Sequence, residues 1–349
     1  MMKRLRKWRH VFSRPQPRVG LDIGSSAIKL IHLEQRGAGY RLKRFGVRSL
    51  DFAEKDASEY SRRLKAVLGD LFQEFELLGS PIAISVSGPS VMVKRIRVSG
   101  VEPDALDEYL TWQGDQYIPY AMSDIYFDYC ILPRTQPASM ETELLLVAAK
   151  RQVVESRKSL LEEIGVHPIV CDVDGLALMK TMMRKRPAFR GRSFGMVNVG
   201  ASGMNVLFVA DERPLMVRDV GFDGTSSGYA IDDAVTVEGV AGHGPSGTDD
   251  PESPLDMTEV IREITYCFES VLECHPGLDV EKFFLCGGRS GNPRLHSELQ
   301  NALGIPTLQF NPFDEIEGLA DHRDRDHLSA SAHLGGVAVG LALHQDNHG

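Results

Sequence analysis

Apolar positions along this chain follow two periods. Residues 19–23, 27–33 and 40–47 are short apolar runs, joined by Gly24-Ser25-Ser26 and by a turn at 35–39. Three such runs in succession predict an antiparallel meander. The period then lengthens: Tyr60, Leu64, Val67, Leu68, Leu71, Phe72 and Phe75 fall on one helical face. Residues 82–86 return to a strand pattern, and a strand reached through a helix pairs in parallel.

Residues 88–150 break this rhythm. A strand with interleaved basic residues (91–98), a helix opened by Pro103, and two further strands (125–132, 143–149) form a compact piece, read as an inserted subdomain. A helix at 151–164 and a strand at 166–173 resume the main body. The meander then recurs at 194–199, 204–209 and 215–220, with the small-residue turn Gly200-Ala201-Ser202-Gly203. Residues 239–256 are rich in Gly, Pro, Ser and Asp and read as a flexible loop. A helix at 257–273, a strand at 281–286 ending in Gly287-Gly288, a further helix and a strand at 307–310 follow. The chain divides into a basic arm (1–18), a first domain (19–87, continued at 151–190), the inserted subdomain (88–150), a second domain (191–327), and a terminal helix (328–349) returning to the first domain. Two similar halves predict a duplicated α/β fold. Small turns at equivalent places in both can face each other across a cleft and hold phosphate through backbone N–H groups and hydroxyls.

Composition and charge narrow the function. The 349 residues are 42% hydrophobic and 25% charged, as in a globular protein rather than a disordered chain. Seven of the 39 basic residues, and no acidic one, fall within positions 1–18. The body is therefore more acidic than the net charge of −9 suggests, which argues against nucleic acid as a partner. In the basic tip, Met1, Leu5, Trp8 and Phe12 share one helical face among cations. Residues 1–14 thus read either as an amphipathic helix resting on an anionic membrane surface or as a solvated arm. No apolar run is long enough to span a bilayer, and the first residues lack the apolar block of a signal peptide. Five scattered cysteines read as buried thiols in a reducing compartment, here the cytosol.

The segment Leu21-Asp22-Ile23-Gly24-Ser25-Ser26-Ala27-Ile28-Lys29 resembles the first phosphate motif of actin-like nucleotide-binding proteins, most of all the PilM family of type IV pilus assembly. Trp112-Gln113-Gly114-Asp115-Gln116-Tyr117-Ile118-Pro119-Tyr120 with Asp128-Tyr129, Leu285-Cys286-Gly287-Gly288 with Asn311-Pro312-Phe313, and residues 335–343 match that family in its own order. The resemblance spans residues 19–343. It implies an α/β, actin-like (ribonuclease H-like) duplicated fold with an inserted α+β subdomain. It also implies ATP with Mg2+ as cofactor. Asp22 would hold the magnesium ion through water. Gly24, Ser25 and Ser26 would cradle phosphate, and Lys29 would reach the phosphate tail. Gly200, Ala201 and Ser202 would form the opposing turn, and Gly287 and Gly288 would let adenosine lie close. The implied partners are the cytosolic tail of a PilN-like membrane protein and other pilus assembly components. The implied location is the cytoplasm, peripheral at the inner membrane face.

The departures concern the chemistry. Asn198 stands where the family's second phosphate motif carries an acidic residue. Gly221-Phe222-Asp223-Gly224 lacks the adjacent glycines, residues 239–256 contain no lysine, and Glu263-Ile264-Thr265-Tyr266 lacks the family's arginine. These changes imply weak or lost nucleotide binding, at most a weak ATPase, and no catalytic residue. His322–His327 reads as a solvated charge run, Cys267, Cys274 and His275 lack zinc spacing, and Asp172 and Asp174 read as helix-capping residues. The expected function is a scaffold. The alternatives are an FtsA-like membrane-associated polymer and a phosphoryl-transfer enzyme of the actin-like and sugar-kinase superfamily.

Overall fold

The structure, a computed structural model, describes residues 18–50, 56–132, 141–184, 189, 191–222, 226–230, 257–318 and 330–344. The basic tip up to residue 17, the loop at 239–256 and the charge run at 322–327 lie outside the described residues.

The first half opens with the meander β1 (Arg18–Ile23), β2 (Ala27–Arg36) and β3 (Gly39–Ser49), paired antiparallel in that order. Helix α1 (Ala57–Glu74) starts where the Asp56 carboxylate accepts from the N–H groups of Ser58 and Glu59, and it buries Leu64, Leu68, Leu71 and Phe72. Strand β4 (Ile82–Val86) then pairs parallel with β1, and β8 (Pro168–Val173) pairs parallel with β4. The second half repeats the scheme. Strands β9 (Ser193–Val199), β10 (Gly203–Ala210) and β11 (Arg213–Gly221) form a meander. Helix α5 (Met257–Cys274) leads to β13 (Val280–Cys286), parallel to β9, and α6 (Pro293–Leu303) leads to β14 (Thr307–Gln309), parallel to β13. Spatial order is β3-β2-β1-β4-β8 in one sheet and β11-β10-β9-β13-β14 in the other. The same winding in both sheets makes the fold a duplication. Each sheet gains one edge strand, β15 (Ile316–Glu317) beside β3 and β12 (Ser226–Ala230) beside β11.

The inserted piece has its own sheet, β5 (Val91–Ser99), β7 (Glu141–Lys150) and β6 (Ile125–Ile131), in the order β5-β7-β6. Its helix α2 (Leu106–Gln113) buries Leu106 and Leu110 against Ile96, Ile125, Leu144 and Leu146. Helix α3 (Arg151–Glu162) carries the chain back to β8.

Two helices join the halves. Helix α4 (Asp174–Met183) follows β8, and α7 (Gly336–Ala342) closes the chain. Every residue of α7 is buried. It crosses α4 and β1 so closely that glycine is required at both crossings. A Cβ on Gly20 would lie 2.1 Å from the Ala338 carbonyl oxygen, and one on Gly340 would lie 1.8 Å from that of Ala177. The core between the halves mixes Leu178, Val337 and Leu341 with Met196, Leu207 and Val217 of the second sheet and Val91, Val93 and Leu145 of the inserted sheet.

Several expectations change. Phe313 and Ile316 pack with Ile31, Leu33 and Val339, so the chain re-enters the first half before residue 327. Cys130 is exposed rather than buried, because β6 is an edge strand. Asp172 does not cap α4. Its carboxylate takes Lys180 Nζ at 2.5 Å, with His344 Nδ1 3.8 Å away. Burial opposes its charge, but the Lys180 ammonium and the hydrogen bonds from His344 and Lys180 outweigh it and hold the carboxyl well below the usual carboxylate range. Asp174 sits in the first turn of α4 without a capping hydrogen bond.

Candidate functional site

The two small-residue turns meet. Gly24-Ser25-Ser26 closes the β1–β2 hairpin, and Gly200-Ala201-Ser202 closes the β9–β10 hairpin. Because the halves are related by duplication, these turns occupy equivalent places and face each other. The Ser202 hydroxyl donates to the Ser25 hydroxyl at 2.9 Å. Each turn is tightened by its own backbone bond, Gly24 N–H to Ala27 O at 3.1 Å and Gly200 N–H to Gly203 O at 2.8 Å.

Asp22 and Lys29 oppose each other across β1 and β2 and form an ion pair at 3.2 Å, with side chains only 11% and 15% exposed. The ammonium lies over the first turn, 2.9 Å from where a Cβ on Gly24 would sit. The third segment joins from the end of β13. Gly287 has φ +90, and a Cβ there would lie 2.5 Å from Asn198 Oδ1 and 2.6 Å from the Val199 carbonyl oxygen. Glycine is therefore required at 287 by packing against β9, whatever lies in the cleft. The neighbouring Gly288 is exposed, with Leu334 beside it. Arg289 ties the segment to the second turn, its N–H bonding Val199 O at 3.1 Å and its guanidinium Ala201 O at 3.4 Å. All ten residues read from the sequence as binding residues thus lie in three segments. The two hairpin turns meet through Ser25 and Ser202, and the third segment is stitched to the second turn.

Four polar residues complete the cleft and were not singled out as binding residues. Asn198 Nδ2 donates to Asn205 Oδ1 at 2.9 Å, Asn205 Nδ2 donates to Asp219 Oδ1 at 2.7 Å, and the Gly88 N–H donates to Asp219 Oδ2 at 2.8 Å. Asp174 accepts from Ser85 and Ser87 at the end of β4. Burial raises its pKa, and the Asp22 carboxylate adds to the effect. Burial, reinforced by Asp174, pushes Asp219 up to about 7. The sequence carried a signal for one of them: Asn205 is a polar residue inside an otherwise apolar strand run, whereas Asp219 follows Arg218.

The sign of the Asp219 effect is testable. An unfolded Asp releases its proton near pH ~4, whereas folded Asp219 holds it to about 7. Between those values the folded protein binds more protons, so stability falls as pH rises through the window. Thermal unfolding should show a decreasing midpoint from pH 5 to 8. Asp219→Asn should be more stable than the natural protein at pH 8 and have a shallower slope, the remainder coming from Asp174. An unchanged slope would remove Asp219 as its source.

The donor set fits an anion at one end of the cleft. Lys29 and the hydroxyls of Ser25, Ser26 and Ser202 are of the kind that hold phosphate. The second half offers less. Asn198 is turned into the Asn205–Asp219 chain, so it orients that chain rather than a water in the cleft. Among the described residues no group of three or more His, Cys, Asp or Glu side chains is arranged to hold a metal ion. Asp22 lies two residues before the Gly24 turn, and it already has Lys29 as its counter-ion. No helix among the described residues is long and apolar enough to cross a membrane.

Comparison with known proteins agrees with this architecture. The PilM–PilN type IV pilus biogenesis complex superposes with a TM-score of 0.73 at 22% identity, covering 94% of this chain and 98% of that one. More distant are a protein of actin-like ATPase fold from Bacteroides thetaiotaomicron (TM-score 0.46, 10% identity, 85% of this chain and 91% of that one) and the ethanolamine utilization protein EutJ from Carboxydothermus hydrogenoformans (0.46, 12%, 95% and 90%). The fold is actin-like. A family model described as type IV pilus assembly protein PilM matches residues 20–346. With nearly the whole chain inside that match, and the duplicated sheets, paired turns and inserted subdomain in their places, this chain belongs to the PilM family of type IV pilus assembly proteins.

Proposed function

We propose that this protein is a scaffold that captures the cytosolic tail of a PilN-like membrane protein beside its inserted subdomain, and so sits at the inner membrane face. The observation that carries the reading is the free edge of β6. The inserted sheet runs β5-β7-β6, leaving one side of β6 unpaired among the described residues. The Leu132 N–H bonds Glu143 O on β7, so by alternation the N–H groups of Tyr129 and Ile131 point outward. The Asp128 carboxylate covers the Tyr129 N–H at 2.9 Å, a device that keeps an edge from pairing indiscriminately. Ile131 is exposed. An extended tail can add to this edge as a fourth strand, with main-chain bonds giving affinity.

Ile131→Pro tests the reading. It deletes an outward N–H and leaves the β6–β7 ladder intact, since proline is tolerated on edge strands. A labelled tail peptide should bind the natural protein and bind the variant at least about tenfold more weakly, the loss of one to two main-chain bonds. Equal anisotropy titrations for the two proteins would exclude strand addition at β6.

The same reading keeps nucleotide as a secondary ligand. Gly24, Ser25, Ser26, Ala201, Ser202 and Lys29 would hold the phosphates of ATP, and Asp22 would hold magnesium through water, where the metal would neutralise phosphate charge. Binding is weak in this account because Lys29 must be shared with Asp22. Hydrolysis is weaker still, since Asn198 supplies no charge to the second turn.

A further inference from the structure

The inserted subdomain arises from the first half in sequence, yet its side-chain anchors reach across to the second half. At its root, Gly88 (φ +91) turns the chain into β5, its carbonyl accepting from the Val91 N–H at 3.0 Å. The same residue's N–H is held by Asp219 of β11. At the far end of β11, Arg213 forms an ion pair with Glu143 of β7, the side chains being 13% and 16% exposed. The two ties come from opposite ends of β11, on either side of the bulge at Leu215. Strand β12 lies against β5 in between. Asp219 is also the end of the hydrogen-bonded chain that begins at Asn198, two residues before the Gly200 turn.

We propose that β11 is a coupling strand: Asp219 and Arg213 are positioning residues that fix the inserted subdomain to the second half, so that a shift at the Gly200 turn is carried through Asn198, Asn205 and Asp219 to Gly88 and repositions the inserted sheet. A carboxylate suits this place because its two oxygens accept from donors on opposite sides, Asn205 in the second half and Gly88 in the first. Burying a carboxylate next to Asp174 is costly in itself, and the two bonds that Asp219 accepts offset that cost only where it joins the halves. Moving the inserted sheet would also move the β6 edge, and any effect of that on tail binding rests on the proposed function. The link itself does not.

Hydrogen–deuterium exchange on the full-length protein, without nucleotide or peptide, tests the link. Asp219→Ala should speed exchange at Gly88 and along residues 91–99 by about tenfold while β9 and β13 keep their protection. Asp219→Asn should restore protection to within about twofold, since its amide oxygen still accepts from the Gly88 N–H and only the bond from the Asn205 NH2 is given up. Arg213→Met should loosen residues 141–147 in the same way, and it supplies the test if the alanine variant does not fold. Natural-level protection of residues 88–99 in Asp219→Ala, or of residues 141–147 in Arg213→Met, overturns the proposal. So does an asparagine variant as open as the alanine one. If the exchange results hold and the tail peptide does not bind, the partner reading fails and the coupling strand stands.

Discussion

Gly340→Val should leave no stably folded protein. The Cβ would be placed 1.8 Å from the Ala177 carbonyl oxygen and 2.8 Å from the Thr181 hydroxyl. Both belong to α4, which cannot move aside, because it is also packed on the second sheet, where a Cβ on Gly175 would lie 2.4 Å from Val217. Thr181 also donates to the Gly336 carbonyl at 2.7 Å, locking the two helices in register. Overpacking in a dense core costs about 1–3 kcal/mol where neighbours can relax. Here the clash is with backbone on a buried helix that has no direction to yield, and the helix it forces away closes the core shared by both halves and the inserted sheet. The expected outcome is loss of the cooperative thermal transition and recovery only in the insoluble fraction. Leu308→Ala, at an exposed position on edge strand β14, serves as the tolerated comparison. A Gly340→Val variant with a natural melting curve would mean that the two joining helices are not crossed as described.

The second large effect concerns the Asp22–Lys29 pair. Lys29→Met keeps the length of the side chain and removes its charge. Asp22 then remains in the cleft without its cation, close to Asp174. Breaking a buried pair by removing one partner costs about 3–5 kcal/mol, because the remaining charge is desolvated and unpaired. The side chains are 11% and 15% exposed, so the lower end of that range applies. Adding Asp22→Asn should recover most of the loss, since no charge is left stranded. Chemical denaturation of the three variants and the natural protein closes the cycle. If Lys29→Met is as stable as the natural protein, the pair is solvated, and Lys29 is free for phosphate in a way the weak-nucleotide account denies.

These predictions show what the sequence carried. The helical period that placed Leu64, Leu68, Leu71 and Phe72 on one face placed them in the core of the first half. The apolar face of α5 likewise buries Val260, Ile264, Cys267 and Val271. The repeated meander foretold the repeated sheet, since strand pairing within a meander is local. Long-range pairing was less legible. Strand β15 is two residues long and exists only because the chain returns to β3. Strand β12 is Ser-Ser-Gly-Tyr-Ala, which lacks the β-branched run that marks a strand.

The cleft divides the same way. The turns at 24–26 and 200–202 could be found because glycine and serine at a hairpin are a local signal. The meaning of Gly287 could not, because its constraint is a contact with Asn198 and Val199, some ninety positions away. Asp172 read as a cap from its place before a helix. Its partners are Lys180, in the last turn of that helix, and His344, more than 170 positions away in sequence.

The most direct measurement is calorimetric titration of the full-length protein with a PilN-like cytosolic tail peptide, run without nucleotide and again after saturation attempts with magnesium-ATP. A scaffold on this fold takes up the peptide in both runs, with nucleotide heat that is small or absent. A protein that shows no peptide binding in either run, or that binds and turns over ATP strongly, contradicts the account.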